Sequence, residues 1–89
     1  MRFEWDREKA ETNLRNHRVS FDEAASVFFD PLSATIPDPD HSVGERRFLT
    51  LGATSKGRIL VVAHTEHGST IRIITARLAS ASERKRYEA

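Results

Sequence analysis

The residues best suited to chemistry in this chain are arginines and histidines of its second half. Arg46, Arg47, Arg58, Arg72 and Arg77 fall on or at the ends of three β-rich runs, with His64 and His67 among them. A guanidinium neutralises a phosphate and stabilises the charge that builds on it in a transition state. A histidine or glutamate takes the proton of a ribose 2′-hydroxyl. Arginines clustered with such a group on one sheet face suit RNA cleavage, by a route that needs no metal. A surface ion pair with the acidic half of the chain is the competing role for any single arginine.

The histidines differ in position. His64 lies mid-strand, as a base or as a half-buried side chain. His67 falls in a turn and His41 in an acidic loop. His17 ends the first predicted helix, where a cation complements the helix dipole. No two stand at i, i+4, which argues against a zinc site. There is no P-loop, no GxGxxG, no GxSxG and no paired-carboxylate motif, so most familiar enzyme classes lack support.

Charge is divided along the chain. Fourteen Lys+Arg against thirteen Asp+Glu leave a formal +1 over 89 residues. Residues 1–45 carry five basic and ten acidic side chains, and residues 46–89 carry nine basic and three acidic. Arginine outnumbers lysine eleven to three. A small chain with a basic, arginine-rich half suggests a polyanion partner. The length allows one domain with a modest core, and a partner that completes so small a fold is in keeping. With no cysteine there is no disulfide, thiolate nucleophile or Cys-based zinc site. No run approaches the roughly 18–20 apolar residues of a membrane span, and the start MRFEWDREKAE lacks the apolar core of a signal peptide. A cytoplasmic protein is the expectation.

The elements that must position these residues follow from caps and periodicity. Residues 2–5 alternate and predict a short strand. Asp6 caps a helix with Ala10 and Leu14 on one face, fading near His17 and Arg18. Ser20 and Glu23 form a capping box for a second helix. There Phe21, Phe28 and Phe29 belong to the core, with Ala24, Ala25 and Val27. Asp30-Pro31 stops it. A strand over 32–36 and a Pro/Asp/Gly loop over 37–44 lead to runs 46–53, 58–66 and 70–77, joined by tight turns. Strand alternation puts Arg77 on the face of Ile71 and Ile73, and Arg72 on the other. Whether His64 or Thr65 stands opposite Arg72 depends on a two- or three-residue turn at Gly68. Ser80 with Glu83 is a second capping box, opening a helix over 82–88. The order β-α-α-β-β-β-β-α predicts an α+β fold: two N-terminal helices packed on an antiparallel meander, with a short C-terminal helix. The other sheet face is then free to make a site.

The same residues resemble the BrnT family. Phe3-Glu4-Trp5-Asp6, Lys9-Ala10, Asn13, His17, Val19-Ser20-Phe21 and Glu23-Ala24 match its opening. Val27-Phe28, Asp30-Pro31, His41-Ser42, Glu45, Arg47, Gly52 and Gly57-Arg58 continue in order. The ending matches through Arg72-Ile73-Ile74-Thr75-Ala76-Arg77, Glu83-Arg84 and Tyr87-Glu88. The resemblance runs nearly end to end. It implies a RelE-like ribonuclease toxin of a type II toxin–antitoxin module, metal-independent and arresting translation. It also implies a tight complex with a BrnA-type antitoxin, whose ribbon-helix-helix part binds operator DNA. Carried over by residue, the site candidates are Arg47, Arg58, Arg72 and Arg77, with His67 or His64 for proton transfer. Lys9, His17 and Glu83 stand second, and Tyr87 either stacks on a base or caps the core. Arg18 stands where the family usually has Gly, so the turn there is expected to manage without positive φ. Thr75 replaces a usual Ser, and His67 a common Arg. Two rivals are a catalytically degenerate toxin fold acting only as antitoxin partner or co-repressor, and a direct DNA-binding regulator. The second is weakened by the lack of a helix-turn-helix. An anionic antitoxin segment is expected to lie on the arginine-bearing strands.

Overall fold

Asp6 opens the first helix as its residue type predicts: the carboxylate accepts the Lys9 N–H at 3.1 Å. The computed structural model describes residues 1–40 and 46–89. The elements run β1 (Arg2–Glu4), α1 (Arg7–His17), α2 (Phe21–Ala25) with a 3₁₀ turn (Ser26–Phe29), β2 (Ala34–Pro37), β3 (Phe48–Ala53), β4 (Ile59–His67), β5 (Thr70–Leu78) and α3 (Ala81–Glu88). This is the expected order. His41, Ser42 and Glu45, and with them the end of the predicted 37–44 loop, lie outside the described residues.

Strands β2 to β5 form the antiparallel meander. Among the described residues the sheet is five-stranded and mixed, in the order β1-β5-β4-β3-β2, because β1 joins parallel to β5. The wholly antiparallel sheet expected from the sequence is corrected on that edge. The partner of β1 lies almost at the other end of the chain, where local alternation carries no information. Helices α1 and α2 pack on one face, and α3 lies against the other. Val19, Phe21, Ala24 and Val27 meet Leu60, Val62, Ile71, Ile73 and Ala76 in the core. Gly52 permits this close approach, since a Cβ there would stand 3.0 Å from the Ser33 Cβ and 3.3 Å from that of Val27.

Three local expectations are revised. Phe29 is not core; it is 68% exposed. After Ala25 the helix tightens to three residues per turn. Phe28 then keeps its place against Phe3 and His64, while Phe29 turns outward. Leu14, expected on the buried stripe, is half-exposed. The turn after α1 does use positive φ: Arg18 sits at φ 58 and its N–H bonds the Leu14 carbonyl, a conformation that costs a non-glycine residue about 1 kcal/mol.

Asn13 ties α1 to the sheet. It is buried, its Oδ1 accepts the Ala76 N–H at 3.0 Å, and its Nδ2 donates to the Ala76 carbonyl at 2.9 Å and the Val19 carbonyl at 3.0 Å. β1 covers β5 only from Thr70 to Arg72. Further along, the Asn13 amide takes the place of a neighbouring strand.

Candidate active site

The register of β4 against β5 decides which arginines share a face. His67 pairs with Thr70 across a two-residue turn, so Thr65 stands opposite Arg72 and His64 opposite Ile73. Gly68, at φ 60, suits that turn. Next, Ala63 pairs with Thr75, leaving Ile74 as an extra residue. This bulge reverses the alternation of β5. Ile71, Ile73 and Ala76 all face the helices and are buried. Arg72, Thr75 and Arg77 therefore point together to the opposite, open face. The expectation that Arg72 and Arg77 lie on opposite faces is corrected by this single residue.

The open face can be read row by row. Arg77 stands across from Val61 and Leu51, Thr75 from Ala63 and Leu49, and Arg72 from Thr65 on one side and Glu4 on the other. His67 ends β4 on the same parity as Thr65, which makes it a diagonal neighbour of Arg72. Arg47 precedes β3 on the parity of Leu49. The Arg72 guanidinium lies 3.7 Å from the Glu4 carboxylate, with both side chains well exposed. Arg77 is engaged more firmly: it forks to Glu83 at 2.8 and 3.1 Å. Glu83 also accepts the Ser80 N–H and so closes the capping box of α3. The hydrogen bond from Arg77, then that from Ser80, pull the Glu83 carboxyl down to about 2. Glu83 thus anchors α3 beside the arginine row.

Arg58 and His64 are placed elsewhere. Arg58 donates from Nε to Glu23 at 2.9 Å, from its terminal nitrogen to the same carboxylate, and to the Arg18 carbonyl at 2.9 Å. Thr54 donates to Glu23 as well. These bonds divert the Glu23 side chain from the Ser20 N–H, so the predicted capping box keeps only its Ser20 half. Arg58 holds the Glu23 carboxyl below its usual range although burial pushes it up. Replacing Arg58 with methionine is expected to cost about 3 kcal/mol in urea unfolding at pH 7, because the buried carboxylate loses its main partner. The cost is held to that size because the Arg58 side chain keeps 34% of its surface in solvent. Unchanged stability would count against this structural role.

His64 faces the helices and has no exposed surface. Its ring packs edge-on to Phe28, stacks on Phe48, and bonds the Thr50 hydroxyl at 2.7 Å; Thr50 in turn bonds Thr35. Among the described residues Nδ1 has no hydrogen-bond partner, and Glu66 at 3.6 Å is too far to be one. Burial pushes the imidazole from 6.5 down to about 4. The neutral ring is therefore the one that stabilises the fold. That contribution is complete above pH 6.5 and falls with pH, by about 2 kcal/mol at pH 5 and about 3 at pH 4. His64→Phe should flatten the stability profile between pH 6.5 and 5, above the range of the lowered carboxylates. A profile as steep as that of the wild type would contradict this.

The remaining candidates spread further. Lys9 and His17 line a cleft of about 390 Å³ between α1 and β5, together with Asn13 and Thr75. Tyr87 donates its hydroxyl to Asp30, whose carboxylate also accepts the Ala53 N–H at 2.8 Å and the Leu32 N–H at 3.0 Å. The hydrogen bond to Asp30 raises the phenol. Tyr87 thus ties α3 to the start of β2 and the end of β3. The sequence reading missed Arg86 and the apolar strip of Ile36, Leu49 and Leu51 beside it. The alternation of β3 was the available signal for that strip.

These features, a mixed five-stranded sheet among the described residues with α1 and α2 on one face and Arg72 and Arg77 on the other, define a small α+β fold. The 1.1 Å crystal structure of the Brucella abortus ribonuclease toxin BrnT has a similar fold, with a TM-score of 0.70, 23% sequence identity, and coverage of 90% of this chain and 97% of that one. No curated protein matches the chain by sequence. Residues 5–83 match the family model of the ribonuclease toxin BrnT of type II toxin–antitoxin systems, and the chain belongs to that family. Among the described residues no helix is long and apolar enough to cross a membrane.

Proposed function

We propose that this chain cleaves RNA without a metal ion, arrests translation and growth, and is neutralised in a hetero-oligomer with a BrnA-type antitoxin. Operator DNA is reached only through that antitoxin, and the complex works in the cytoplasm. The carrying observation is the β5 bulge, which gathers Arg72 and Arg77 on one open face with His67 at its end. Arginines there hold the phosphate and stabilise its developing charge, and Arg47 extends the row. His67 is the histidine whose strand position faces that row, and it is assigned the proton transfer from the 2′-hydroxyl. His64 and Arg58 serve the fold, and Lys9, His17 and Tyr87 lie outside the row.

Purified protein incubated with cellular RNA and a chelator tests this directly. Cleavage that survives chelation, with growth arrest on induction, is the expected result. Intact RNA with normal growth would sink it, and loss of cleavage on chelation would remove metal independence. The engagement of Arg77 by Glu83 favours one second reading, a degenerate toxin that only binds its antitoxin. Tight antitoxin binding without any cleavage would select it.

A further inference from the structure

We infer that an apolar groove between β2, β3 and α3 seats an amphipathic, anionic segment of the antitoxin, beside the arginine row rather than on it. This rests on the toxin reading above. Ala34, Ile36, Leu49, Leu51 and Val61 floor the groove, and Arg86 and Glu83 wall it, the Glu83 carboxylate being already taken up by Arg77 and the Ser80 N–H. It continues past Leu32 and the end of α3 into a wider trough of about 530 Å³. Ile36 is 53% exposed and β2 is exposed along its whole length. No other segment among the described residues covers it.

Charge and shape select the occupant. Arg86 makes no ion pair with any described residue, and it follows Arg84 and Lys85 on the same short helix. A segment with aliphatic anchors flanked by carboxylates complements such a wall. RNA fits less well, because bases stack on aromatic platforms. The groove floor is aliphatic, and Tyr87 at its far end is tied to Asp30. A segment anchored here needs only to extend across β4 to reach Arg77, which stands directly opposite Val61. Neutralisation then works by covering the RNA face from its apolar flank.

Calorimetry with the cognate antitoxin tests the seat, using full-length Ile36→Asp and Arg86→Glu. Both positions are exposed, and circular dichroism checks each fold. Ile36→Asp should weaken binding at least about 30-fold, as loss of an apolar hot spot does. Arg86→Glu should weaken it about 10-fold, with a reduced salt dependence. RNA cleavage by the free variants should stay near the wild-type rate. Wild-type affinity in both variants overturns the inference. Cleavage lost together with affinity overturns it in favour of RNA in the groove. A wild-type dimer that Ile36→Asp dissociates in sedimentation overturns it in favour of a second copy. If the wild type binds antitoxin through the groove but cleaves nothing, the catalytic reading falls and the docking seat stands.

Discussion

Alanine in place of Arg72 or Arg77 is expected to slow RNA cleavage by about 100- to 1,000-fold, the usual loss when one preorganised charge donor is removed from a transition state. Arg72 gives the cleaner experiment. Its only ion pair among the described residues is the loose, exposed contact with Glu4 at 3.7 Å, so its loss should leave the fold nearly unchanged. Arg77 also anchors α3 through Glu83, and its removal frees a carboxylate beside the row. Single-turnover cleavage of a labelled RNA at fixed salt measures the chemical step, and thermal unfolding monitors the fold. Wild-type rates in both variants would remove the arginine row from the mechanism. Equal losses of rate and fold would return both residues to structural roles.

Asn13→Leu is expected to destabilise the protein by about 4 kcal/mol, the largest loss of stability proposed for a single substitution here. The change keeps the branched, four-atom outline of the side chain while removing its polar atoms. It leaves the Ala76 N–H, the Ala76 carbonyl and the Val19 carbonyl without the partners they have now. Each orphaned buried group costs roughly 1–3 kcal/mol, and a domain of this size has only about 5–10 to lose. Urea unfolding should show an earlier midpoint at an unchanged slope. Hydrogen exchange at Ala76 should accelerate first. A loss under 1 kcal/mol would mean that water replaces the side-chain amide at β5.

Both predictions concern β5, yet they differ in how far the sequence could foresee them. Asn13 is one of the residues that carry the resemblance to the BrnT family, but nothing in its neighbours says that it reaches a strand 63 residues away. The β5 arginines were visible by type and by strand. Their shared face was not, since five residues of strict alternation separate Arg72 from Arg77 onto opposite sides. The same limit explains Glu23. A serine three residues before it predicts a capping box, and the partner that wins is Arg58, brought up by the turn before β4.

Local chemistry by itself determined the element order, the caps at Asp6, Ser20 and Ser80, the stop at Asp30-Pro31 and the turns around Gly57 and Gly68. All of these depend on residues within a few positions of one another, and the motif order from Phe3 to Glu88 identified the family. The tertiary structure alone decided the parallel pairing of β1, the burial of His64, the outward turn of Phe29 and the bulge at Ile74. Each of these is settled between segments far apart in the chain. The bulge shows the reason most plainly: whether a strand spares one residue depends on what its neighbours can pair with, and on which side chains the helices will accept in the core.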